Sequence, residues 1–126
     1  MYNFIDMTQK ILIIDDEPDI VKLLESRLKS NNYEVIVAFD GKSGLELARQ
    51  QRPDLIILDV VMPNMGGFEV LHALKHGSQT SMIPVIMLTQ KRDSGSMLDA
   101  HEQGGTDYIS KPFDPQELLK VIKRYV

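Results

Sequence analysis

Pro53-Asp54-Leu55-Ile56-Ile57-Leu58-Asp59-Val60-Val61-Met62-Pro63 is the stretch that decides the fold. Leu55, Ile56, Ile57 and Leu58 run without interruption into a carboxylate. An unbroken apolar run of this length reads as a strand buried on both faces, the kind found inside a parallel sheet. Asp59 then stands at the C-terminal tip of the strand, where open α/β sheets place their chemistry. The turn cluster Pro63-Asn64-Met65-Gly66-Gly67 follows directly.

The rest of the chain repeats this plan. Ile11-Leu12-Ile13-Ile14 is a second apolar run, closed by Asp15-Asp16-Glu17-Pro18. A helix over 18–30 follows, with Pro18 in its first turn and Ile20, Val21, Leu24 and Leu28 as its apolar stripe. Residues 33–38 form a β-branched strand. A helix over 41–51 has Asp40 as its cap and turns Leu45 and Ala48 inward. After the Asp59 strand come a helix over 68–75, with Phe68, Leu71 and Leu74 inward, and a strand over 84–88 ending at Thr89. A fourth helix covers 96–103, with a polar lead-in at 93–96, and Gly104-Gly105 stops it. A strand over 107–110, the segment Lys111-Pro112-Phe113 and a fifth helix over 115–125 complete the chain. Five strands alternating with five helices imply right-handed βαβ units and one open parallel sheet with helices on both faces.

Bulk properties narrow the functional classes. The 126 residues suit one domain, and 43% hydrophobic with 25% charged is ordinary for a globular protein. Cysteine is absent, which excludes disulfides and thiolate chemistry and fits a reducing compartment. No apolar run nears the roughly 20 residues that span a bilayer, and the first six residues lack the pattern of a signal peptide. A net charge of −4 speaks against direct binding of nucleic acid. Residues 1–8 read as an N-terminal extension, with Met7 as an alternative start, and 9–126 as the folded domain.

The strand tips converge on one sheet edge. They deliver Asp15 and Asp16, Asp59, Thr89 and Lys111. Three carboxylates at one edge repel one another, and a hard dication such as Mg²⁺ relieves the conflict through oxygen ligands. An ammonium and a hydroxyl beside a free carboxylate oxygen make a cradle for a phosphoryl group. The chemistry that fits is attack of the Asp59 carboxylate on phosphorus. Each residue alone also has a plain reading as a turn, a cap, a structural hydroxyl or a solvated lysine; it is their convergence that favours chemistry.

The residues Ile13-Ile14-Asp15-Asp16-Glu17, Asp59-Val60-Val61-Met62-Pro63 with Gly67, Leu88-Thr89 and Asp107-Tyr108-Ile109-Ser110-Lys111-Pro112-Phe113 closely resemble the receiver domains of response regulators in two-component signalling, chemotaxis type included. The resemblance covers about 9–126. It implies a single flavodoxin-like doubly wound domain with strand order 2-1-3-4-5, taken over from that family rather than read from spacing. It further implies that Asp59 accepts a phosphoryl group from a sensor histidine kinase or phosphotransfer protein, and that the chain is a phosphoacceptor rather than a turnover enzyme. Asp16 and Asp59 are expected to ligate Mg²⁺ directly, Asp15 through water, and Val61 through its backbone carbonyl. Lys111 pairs with the phosphoryl oxygens, and its bond to Pro112 is expected to be cis. Thr89 and Tyr108 form the switch pair, reshaping the helix 4–strand 5–helix 5 face for an output partner. A cytoplasmic monomer or weak homodimer, touching neither nucleic acid nor membrane, completes the expectation.

Departures from the family pattern qualify it. Gln90 stands where Ala or Gly is usual; crowding there would favour a phosphorylation-independent interaction module, the alternative reading. Gly66 replaces a common Asp, and Gly105 a common Ala. Met97, Gln103 and Val121 interrupt the charged pattern of one dimerising subfamily, while Asp107, Glu117 and Arg124 keep parts of it. That face is expected to be more apolar, with Met97, Val121 and Tyr125 exposed as a docking surface. His72, His76 and His101 read as scattered surface residues without a ligand-like partner. An aspartyl phosphatase is disfavoured because position 61 is valine, so no second acid serves a leaving group. A flavin carrier is disfavoured because Asp15-Asp16-Glu17 repels phosphate.

Overall fold

Each unbroken apolar run becomes a strand, and the strands pair in parallel throughout. The computed structural model describes residues 8–90 and 104–126. In chain order the elements are β1 (Lys10–Ile14), α1 (Pro18–Ser30), β2 (Glu34–Ala38), α2 (Gly41–Gln51), β3 (Leu55–Asp59), α3 (Gly67–His76), β4 (Val85–Gln90), β5 (Asp107–Lys111) and a C-terminal helix (Pro115–Ile122). The helix expected over 96–103 lies outside the described residues, as do Met97, His101 and Gln103.

The sheet has the order β2-β1-β3-β4-β5. Strand order therefore reverses between β1 and β3, and a crevice opens beyond the carboxyl ends of these two strands. Register aligns their tips, with Ile14 beside Leu58 and Asp59 beside Leu88. Alternation divides the side chains between two cores. Leu12, Ile14, Ile56, Leu58 and Met87 pack against α2 and α3. Ile11, Ile13, Leu55, Ile57, Leu88 and Ile109 pack against α1 and the C-terminal helix. β3 is buried at all five positions, as its composition requires.

Local sequence accounts for the element ends. Asp40 caps α2: Oδ1 accepts from the Ser43 amide at 2.8 Å and Oδ2 from its hydroxyl at 3.0 Å. α3 starts at Gly67 rather than 68; Leu71 and Leu74 are buried as expected, Val70 joins them, and Phe68 packs partly buried against the same core. The C-terminal helix stops at Ile122 instead of 125. There the Arg124 amide bonds Val121 O and the Tyr125 amide bonds Ile122 O, tightening the chain into a turn. Val121 and Tyr125, expected to be exposed, are partly buried against the α1-side core. The Tyr125 hydroxyl donates to Asp107 Oδ2 at 2.9 Å, and Arg124 pairs with the same oxygen at 3.3 Å. No helix among the described residues is long and apolar enough to cross a membrane.

Candidate functional site

The crevice beyond β1 and β3 collects the expected side chains. Asp15 is fully buried just past β1, and Asp59 is 3% exposed at the tip of β3. Lys111 ends β5 and is 9% exposed. Its bond to Pro112 is cis. The Lys111 ammonium donates to Asp15 Oδ2 at 3.0 Å and to Glu17 Oε1 at 2.9 Å, and lies 3.3 Å from Asp59 Oδ1. The Glu17 amide in turn donates to Asp15 Oδ1 at 3.0 Å. Asp15, Asp16, Glu17 and Asp59 each offer an oxygen, all within 4.8 Å of one another.

Glu17 is the member that the residue pattern did not single out. It follows Asp16 as an exposed acid at the mouth of α1, where a helix start alone accounts for it. Only the approach of β5 shows that its carboxylate holds the central cation.

The electrostatics are those of crowded acids. Burial, and then the charge of Asp15, push the Asp59 carboxyl up to about 7, against the pull of Lys111 and the Val61 amide. Burial alone would lower the Lys111 ammonium. The carboxylates of Glu17, Asp15 and Asp59 outweigh it and hold its pKa above the ordinary lysine value. Four clustered acids, three of them paired with Lys111, form a hard, oxygen-only donor set. Such a set fits a small divalent cation of the Mg²⁺ type.

Thr89 approaches from the other side of the sheet. Its place in the alternation is that of Val85 and Met87, whereas Asp59 and Lys111 follow Ile57 and Ile109. Thr89 is 1% exposed, and its Oγ1 has no hydrogen-bond partner among the described residues. Tyr108, opposite Met87 on β5, is 39% exposed and so points outward. Val61 carries an exposed side chain just beyond β3. The side chain of Gln90 lies outside the described residues.

Gly67 brings α3 against the site. A Cβ there would fall 2.2 Å from Asp59 O and 2.7 Å from Val60 Cα. The Gly67 amide donates to Val60 O at 2.9 Å. The first residue of α3 thus braces the backbone that carries Asp59.

Comparison with known proteins gives a consistent picture. The family described as response regulator receiver domain matches residues 11–123. The alkaline phosphatase synthesis transcriptional regulatory protein PhoP of Bacillus subtilis is 42% identical over 93% of this chain, which spans 48% of PhoP. Protein PilH of Pseudomonas aeruginosa is 39% identical, with 90% of this chain and 93% of PilH covered. The chain thus spans about half the length of some relatives and nearly all of another. The solved structure of chemotaxis protein CheY4 from Vibrio cholerae superposes with a TM-score of 0.88 at 36% identity, covering 94% of this chain and 99% of that one. The receiver domain of sensor histidine kinase PA1611 from Pseudomonas aeruginosa, solved with magnesium in its active-site cleft, superposes at 0.86 with 29% identity, covering 94% and 97%.

Proposed function

The chain belongs to the response regulator receiver domain family, and on that premise we propose that Asp59 is the phosphoacceptor of a signalling switch. The observation that carries this reading is a carboxylate 3% exposed at the switch point of the sheet with an ammonium 3.3 Å away. The phosphoryl donor is a phosphohistidine on a sensor histidine kinase or phosphotransfer protein. A carboxylate oxygen of Asp59 bonds to phosphorus as the P–N bond to the donor imidazole breaks. The chain is therefore consumed and reset, not a turnover enzyme.

Asp16, Asp59 and the Val61 carbonyl would hold Mg²⁺ directly, with Asp15 acting through water. When bound, the ion offsets the charge of the carboxylates and of the phosphoryl oxygens. Lys111 exchanges a carboxylate partner for a phosphoryl oxygen. The buried Thr89 hydroxyl takes another and moves toward Asp59. Tyr108 turns inward behind it, and the surface around β5 and the C-terminal helix changes for a partner protein. Residues 1–8 stand outside this domain, which acts as a monomer or weak homodimer in the cytoplasm and binds neither nucleic acid nor membrane directly.

The test is incubation with Mg²⁺ and acetyl phosphate, read by intact mass, with beryllium fluoride as the mimic read by tyrosine fluorescence. Wild type is expected to gain one phosphoryl group and a fluorescence change that Tyr108→Phe abolishes. Identical behaviour of wild type and Asp59→Asn would sink the reading in favour of a phosphorylation-independent module.

A further inference from the structure

α3 carries two histidines that the folded chain brings together. His72 and His76 are four residues apart, both exposed, with His76 closing the helix and His72 one turn before it. Their ring centroids lie 4.0 Å apart with planes tilted by 33°. His76 Nδ1 lies 2.8 Å from the backbone oxygen of His72. A carbonyl oxygen can only accept, so this nitrogen is the one that carries hydrogen, and the Nε2 of neutral His76 keeps its lone pair. An imidazole held by its second nitrogen in this way has the arrangement that metal-ligating histidines show.

We propose that His72 and His76 form a chelating site for a borderline d-block dication, Zn²⁺, Ni²⁺ or Cu²⁺, separate from the acidic crevice. Imidazole nitrogen selects this class, whereas the oxygen-only cluster at Asp59 suits Mg²⁺. Residues at i and i+4 on a helix are neighbours on its surface, so one ion reaches both rings without unwinding the backbone. The site spans the C-terminal half of α3 and reaches its last residue at His76, and the carbonyl end of a helix favours a cation. Glu69 adds negative charge one turn earlier on the same flank, where it lines an open groove of about 430 Å³ with Met65, Phe68 and His72. Lys75, the cation between the histidines, is directed elsewhere: its ammonium donates to Ile83 O at 3.0 Å and Ser81 O at 3.4 Å. Water and groove ligands complete the coordination.

The test is calorimetric titration of the whole chain with Zn²⁺ and with Ni²⁺ in excess Mg²⁺, with ¹H–¹⁵N spectra to locate the change. One equivalent is expected to bind with Kd below about 1 mM, with the largest shifts in α3. His72→Gln and His76→Gln are each expected to weaken binding about tenfold or more. The double variant retains His101 as an internal control. No saturable binding, binding unchanged in the double variant, or shifts centred on the acidic crevice would each overturn the proposal.

Discussion

At the scale of single residues, the site is held in tension by its own charges. The Asp59 carboxyl rises from an ordinary 3.8 to about 7 on folding, chiefly through burial. Between those values the folded state binds more protons than the unfolded one, so this group's effect on stability becomes less favourable as pH rises. In metal-free buffer, wild type is therefore expected to lose stability relative to Asp59→Asn between about pH 4 and pH 8, by roughly 2–4 kcal/mol. Urea midpoints at a series of pH values check this, and parallel profiles for the two proteins would refute it. Lys111 sets the opposite limit. Lys111→Met leaves Asp15 and Asp59 buried without their cation, and is expected to cost about 3–5 kcal/mol without metal. Mg²⁺ should restore part of that loss in the same unfolding assay; an unchanged midpoint without metal would show that the ion pairs carry no net stability.

At the scale of elements, the positions that matter are where one element meets another. α3 begins on a glycine because its first Cα lies against the carbonyl of Asp59. The backbone there is not in the left-handed region, so the constraint is space rather than conformation. Gly67→Ala must displace either β3 or the start of α3, since the added Cβ would fall 2.2 Å from backbone oxygen. A loss of about 2–3 kcal/mol is expected, read from the chemical denaturation midpoint, together with slower phosphorylation of Asp59. Loss of neither would mean that the helix start can slide without moving the site. Pattern and caps were enough to place α1, α2 and the strands within a residue or so. Phe68 shows where pattern fell short: its apolarity suggested a fully buried position, but it packs against the core only partly buried, and Val70 joins Leu71 and Leu74 inside.

At the scale of the whole molecule, reversal of strand order between β1 and β3 makes one crevice out of residues distant in sequence. Lys111 reaches Asp15 across 96 positions. Metal binding at such a point stabilises the entire fold, because the unfolded chain has no such cluster to offer. Saturating Mg²⁺ is expected to raise the unfolding free energy by about 2.7 kcal/mol at a hundred times its Kd. The gain should vanish in an Asp15→Asn, Asp16→Asn double variant. A comparable gain in that variant, measured by thermal or urea unfolding, would place the ion elsewhere.

The amino-acid sequence by itself determined the βαβ alternation, the burial of β3 and the identity of Asp15, Asp59, Thr89 and Lys111 as strand-tip residues. These follow from local periodicity, which is written in consecutive side chains. Tertiary structure alone decided that Glu17 grips Lys111, that the Thr89 hydroxyl finds no partner among the described residues, that Tyr125 folds back onto Asp107, and that His72 and His76 stack. Each of those depends on the direction in which a particular side chain leaves its element. Apolar periodicity tells which face of an element is buried, but it leaves the partners of polar groups open until the elements pack.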